Sequence, residues 1–92
     1  MAFEMINYYE GLVLAAIQKH ARAHLPEGRI DEAMLEDAAC IALNQLPPRY
    51  IRHHVDTSFY LSTSDREAME TAVEKSVQHA FERLREETGR DG

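Results

Sequence analysis

The sequence predicts a mainly α-helical protein of three to four helices with one short extended segment. Three observations predict it. Apolar residues recur at helical spacing in separate stretches, a capping residue precedes each stretch, and the pair Pro47–Pro48 stops the second and forces an extended path after it. The 92 residues suffice for a single domain over 1–92. A chain this short buries little of its surface, so association with a second copy is expected.

The first helix opens at Asn7, with Glu10 three residues on as the partner of a capping box. Tyr9, Val13, Ala16, Ile17 and His20 then share one stripe, which Leu12 and Leu14 widen. Pro26 and Gly28 break the helix. Asp31 caps a second helix that runs to about Leu46. Its middle, "AACIAL", is apolar on every side, the pattern of a helix covered by neighbours or by a second subunit. Cys40 in that middle reads as a buried, inert thiol.

After the prolines, "RYIRHHVDTSFYLS" is β-branched and aromatic, and reads as a short strand or an ordered loop. In an extended segment Tyr50, Arg52 and His54 share one side and Ile51, His53 and Val55 the other. Ser64 with Glu67 marks the start of a third helix. Its inner stripe is Met69, Ala72, Val73, Ser76, Val77, Ala80, Phe81 and Leu84, with Glu70, Glu74, Gln78, Glu82 and Arg85 turned away. The tail "EETGRDG" is expected to fray.

Composition narrows the function. Ten Lys and Arg stand against 16 Asp and Glu, a net charge of −6. Duplex nucleic acid is bound by neutralising phosphates, so this balance argues against it while leaving room for a small anion at a local basic patch. No apolar run is long enough to span a bilayer, so no membrane insertion is expected. The first residues lack the basic region and cleavage site of a secretory signal, which makes a cytoplasmic location the expectation. One cysteine allows neither an internal disulfide nor a multi-cysteine zinc site within the chain.

His20 and His24 stand four residues apart on one helix face, but a zinc site takes three or four ligands, and no Glu follows His20 as in metalloprotease helices. They read as polar residues near a helix C-terminus, where a partly protonated imidazole suits the dipole. No glycine-rich phosphate loop, serine elbow or catalytic carboxylate pair is present. The expectation is therefore a protein without enzymatic activity, catalytic residues or a bound metal.

The stretch from Asn44 to Asp56 is chemically distinct. Arg49 and Arg52 carry fork donors that suit phosphate oxygens or the O6 and N7 edge of guanine. Tyr50 and Tyr60 offer flat faces for stacking. His53 and His54 add donors, and Asp56 can accept from the N1 and N2 edge of guanine. Pro47 and Pro48 stiffen the approach, which reduces the entropy lost on binding. The same residues also serve as a helix stop and a solvent-facing edge with a tyrosine packed on proline.

"NYYEGLV" (7–13) followed by "DAACIALNQLPPRY" (37–50) resembles the ComFB family of late competence development proteins. The shared positions are Asn7, Glu10, Leu12 and Val13, then Asp37, Ala42, Leu43, Asn44, Leu46, Pro47, Pro48 and Tyr50, with Cys40 where the family carries alanine. The resemblance implies a mostly helical cytoplasmic homodimer with a regulatory role. Some members are receptors for cyclic di-GMP or cyclic di-AMP. Many also carry a cysteine cluster for structural zinc ahead of the Asp. "LPEGRIDEAMLED" has no cysteine, so that zinc site is absent from this chain. The ligand-binding set expected is Asn44, Pro47, Pro48 and Tyr50 from the motif, with Arg49, Arg52, His53 and Asp56 added by their chemistry. The alternative is a dimeric adaptor in competence, pilus or motility control, its corner meeting a downstream protein partner instead of a nucleotide.

Overall fold

The computed structural model describes residues 5–25, 30–52 and 61–91. Their order is β1 (Met5–Asn7), α1 (Tyr8–His24), α2 (Glu32–Leu43), β2 (Tyr50–Arg52) and α3 (Thr63–Asp91). The mainly helical class is borne out, and Tyr50–Arg52, after the prolines, is a strand. It pairs antiparallel with β1 in the register Met5↔Arg52, Ile6↔Ile51 and Asn7↔Tyr50. β1 is an element that the sequence reading missed.

The ribbon sets the topology. Because β2 returns to β1, the chain leaving α2 comes back to the start of α1, so α2 runs against α1. Tyr9 and Met69 line a common cavity, and His20 stacks on Phe81 farther along. α1 and α3 are therefore parallel neighbours.

α1 starts where expected. Asn7 has an extended backbone, and its side-chain oxygen accepts from the Tyr9 N–H at 3.2 Å. The helix buries Tyr9, Val13, Ile17 and Ala21, a run at i, i+4 spacing, with Ala16 and His20 half-buried beside it. Among the described residues Val13 and Ile17 are the largest fully buried side chains. Each stabilises the fold by about 1.5–3 kcal/mol relative to exposure.

Asp31 caps α2, accepting from the Ala33 N–H at 2.9 Å. The helix stops at Leu43, short of Leu46. The backbone tightens into i→i+3 bonds, from Gln45 N–H to the Ala42 carbonyl and from Leu46 N–H to the Leu43 carbonyl. Pro47 disfavours helical geometry at the residue before it, and this single turn is what that restriction leaves. It drives Leu46 into the core.

The inner face of α2 is small, Ala38, Ala39 and Ala42, which lets neighbouring backbones approach closely. Leu43 and Ile41 are half-buried. Cys40 is exposed, against the expectation of a buried thiol. The alanines fill the core side of the helix within this chain and leave the cysteine on the far one.

α3 begins one residue before Ser64, and its cap is Ser62. The Ser62 N–H donates to the Asp65 carboxylate at 3.1 Å, and the Asp65 N–H donates to the Ser62 hydroxyl at 3.0 Å. This is a reciprocal capping box, displaced from the expected Ser64–Glu67 pair. Met69, Val73, Ser76, Val77, Ala80 and Phe81 are buried as the stripe predicts, and Glu70, Glu74, Gln78, Glu82 and Arg85 are exposed. The helical backbone continues to Asp91, through the tail expected to fray.

Candidate functional site

The corner after α2 is assembled by one residue from the other end of the chain. Besides capping α1, the Asn7 side-chain oxygen accepts from the Arg49 N–H at 3.0 Å. The Tyr8 N–H donates to the Arg49 carbonyl at 2.6 Å. Arg49 is thus held at both its peptide groups, between the stiff Pro47–Pro48 path and the ribbon. An asparagine at this position satisfies two amides of different segments at once, which an aliphatic residue would leave without partners.

Strand alternation then sorts the side chains. Ile51 points inward and is 6% exposed, whereas Tyr50 is 63% exposed and Arg52 lies on the same outer face. Met5, opposite Arg52, shares that face at 58% exposure. The outer face of the ribbon thus carries an aromatic ring and a guanidinium two residues apart.

Arg49 has a different setting. With Pro47 and Pro48 it lines a cavity of about 280 Å³, closed on its other sides by Tyr9 of α1 and by Leu61, Asp65 and Met69 around the start of α3. Two hydrogen bonds from Ser62, through its backbone and its hydroxyl, hold the Asp65 carboxyl below its usual range, and the nearby Arg49 charge adds to the effect. Arg49 therefore has a carboxylate as its neighbour.

The expected ligand set is accordingly divided. Pro47, Pro48 and Arg49 meet at the cavity, Tyr50 and Arg52 on the ribbon face, and Asn44 sits exposed at the C-cap of α2. His53, His54, Asp56 and Tyr60 lie outside the described residues. Tyr9, Leu61, Asp65 and Met69 were not foreseen as lining. Ser-x-x-Asp at 62–65 was the signal that could have found Asp65.

The His20 and His24 rings are neighbours, with centroids 4.6 Å apart. His20 also stacks on Phe81 at 4.2 Å and 12°. Burial lowers the pKa of His20 from its ordinary value, and the charges of His24 and Arg85 lower it further. Among the described residues no group of three or more His, Cys, Asp or Glu side chains could hold a metal ion, and no helix is long and apolar enough to cross a membrane.

No curated protein and no solved structure matches the chain. The family model described as late competence development protein ComFB matches residues 6–88, from the ribbon through most of α3. With Asn7 joined to the LPPRY corner at one end of that span and α3 closing the core at the other, the chain belongs to the ComFB family.

Proposed function

We propose that the protein is a non-enzymatic regulator whose Tyr50–Arg52 face receives a cyclic dinucleotide such as cyclic di-GMP or cyclic di-AMP. One observation carries this reading: an exposed ring and a guanidinium share one face of a strand whose preceding residue is held at both peptide groups. A base stacks on Tyr50, and Arg52 takes a phosphate or the O6 and N7 edge of guanine. Arg49, facing Asp65, steadies the approach to that face more than it grips the ligand. In a homodimer two such faces would suit a ligand that is itself two-fold symmetric, and binding would favour the form that engages a downstream partner.

Titration calorimetry with cyclic di-GMP and with cyclic di-AMP tests this reading. Tyr50→Ala and Arg52→Ala should each weaken binding while helicity and melting temperature hold. The charge-assisted contact of Arg52 accounts for about 1.5–3 kcal/mol. Absence of heat and of any thermal shift with either nucleotide near millimolar concentration overturns it.

A second reading, a protein adaptor in competence, pilus or motility control, is favoured by Leu14, which is 52% exposed on α1. Recovery of a specific partner from the native host without added nucleotide, lost in Leu14→Ser, would select it.

A further inference from the structure

A cavity larger than the one at the corner lies elsewhere in the fold. It is a groove of about 390 Å³ between α1 and α3, with Leu12, Ala16, Val73 and Val77 as its apolar floor. Its walls among the described residues come from these two helices alone.

The groove is polarised along its length. Because α1 and α3 run in the same direction, Glu70 and Glu74 lie toward the Leu12 end. Lys19, His20 and His24 lie toward the other. From Leu12 to His24 is roughly 18 Å at 1.5 Å per residue, or about three turns of helix. Lys19, Glu70 and Glu74 are exposed, and no ion pair among the described residues involves them. Among the described residues the groove thus has a carboxylate end, an apolar middle and an end that carries Lys19 and two imidazoles.

We propose that this groove docks an amphipathic α-helix of a partner protein. The partner helix carries Lys or Arg in the turn over Glu70 and Glu74, small apolar residues over Ala16 and Val77, and Asp or Glu in the turn over Lys19 and His24. Charge complementarity also sets its direction. A helix N-terminus carries positive and its C-terminus negative partial charge, so the docked helix runs parallel to α1 and α3. A groove between two helices, walled on its sides and with an apolar floor, is the form in which an amphipathic helix is commonly received. The proposal does not depend on a nucleotide at the ribbon.

Designed peptides test it on the full chain. One labelled helical peptide of about 14 residues, long enough to span the groove, carries Arg in its first turn, an Ala/Leu stripe and Glu in its last turn. A second has the same composition with Arg and Glu mixed in both end turns, so that neither direction of docking pairs every charge. Fluorescence anisotropy should show the first binding at least about tenfold more tightly, since charge arrangement sets partner choice. Amide shifts should concentrate at Ala16, Val73 and Val77. The double variant Lys19→Ala/Glu74→Ala, at exposed positions and checked for an unchanged thermal melt, should abolish the preference. Equal binding of the two peptides, no binding of either, shifts located elsewhere, or a preference that survives the double variant overturns the proposal. So does a chain dimer, seen by sedimentation, that Ala16→Glu converts to a folded monomer, because a second copy then occupies the groove.

Discussion

The LPPRY corner and the α1–α3 groove border the same two helices but are held in different ways. At the corner, peptide groups do the holding: Arg49 is bound through its N–H and its carbonyl, and two strands of three residues each fix the faces of Tyr50 and Arg52. At the groove, side chains lie over an apolar floor, and a His20–Phe81 ring stack joins α1 to α3. A backbone-held surface stays in place when a side chain on it changes. A surface made of helix faces can adapt its side chains to what lies on it. The first suits a small rigid ligand and the second a helix.

Removing what both regions share gives the largest effect. Ile17 is 2% exposed and packs in the common core. Ile17→Ala should cost about 2–5 kcal/mol in denaturant unfolding, and should weaken ribbon and groove binding together. Asn7→Ala separates the two. It removes the α1 cap and the acceptor for Arg49 N–H, and should cost about 0.5–2 kcal/mol. Amide exchange should rise at Arg49 and Tyr50 with no change at Val73 or Val77. A uniform rise along α3 would show that the corner and the groove are not independent.

Asn7 also marks the limit of what the sequence makes legible. Its role as a cap is written locally, in the three residues that follow it. Its bond to Arg49 spans 42 positions and has no local signature. The same holds for β1, which has no strand-like alternation and exists because β2 needs a partner. Local signals elsewhere were read correctly in kind and displaced in place. The start of α3 offers two overlapping Ser-x-x-acid strings, and Ser62–Asp65 prevails where Ser64–Glu67 was expected. Burial of Leu61 immediately before it favours the earlier start. Cys40 was misjudged because composition says a helix can be covered without saying which side is. The α3 stripe was fully legible, since its period and length leave one solution. At the site, alternation placed Tyr50 and Arg52 on one face correctly, whereas the Asp65 beside Arg49 depended on how α3 docks.

Acid distinguishes the regions by pH window. His20 has a lowered pKa, so its neutral form belongs to the fold. The stability this contributes is present above its unfolded value, about 6.5, and is lost as pH falls through the folded value. Asp65 is also lowered, but from the carboxylate range, so its contribution is lost only below about pH 4. Thermal melts across pH should therefore show a loss below neutrality that His20→Gln reduces, and a separate acid loss that Ser62→Ala reduces. At neutral pH Ser62→Ala should itself cost about 1 kcal/mol as a lost N-cap. A single acid transition, unchanged by either substitution, would mean that neither group is coupled to folding as its surroundings indicate.

The smallest expected effect is a gain. Gly11 lies inside α1 between Tyr9 of the corner cavity and Leu12 of the groove, and a Cβ built there meets nothing within 4 Å. Its residue needs no unusual backbone geometry, so glycine there only enlarges the entropy of the unfolded chain. Gly11→Ala should stabilise the protein by about 0.4–1 kcal/mol, raising the melting temperature without touching either surface. Ribbon and groove affinities should stay at the wild-type level. This variant separates stability from recognition. If binding at one region rises with the gain, that region is partly unfolded before its ligand arrives, and its rigidity or adaptability must be assigned to the complex instead of the free protein.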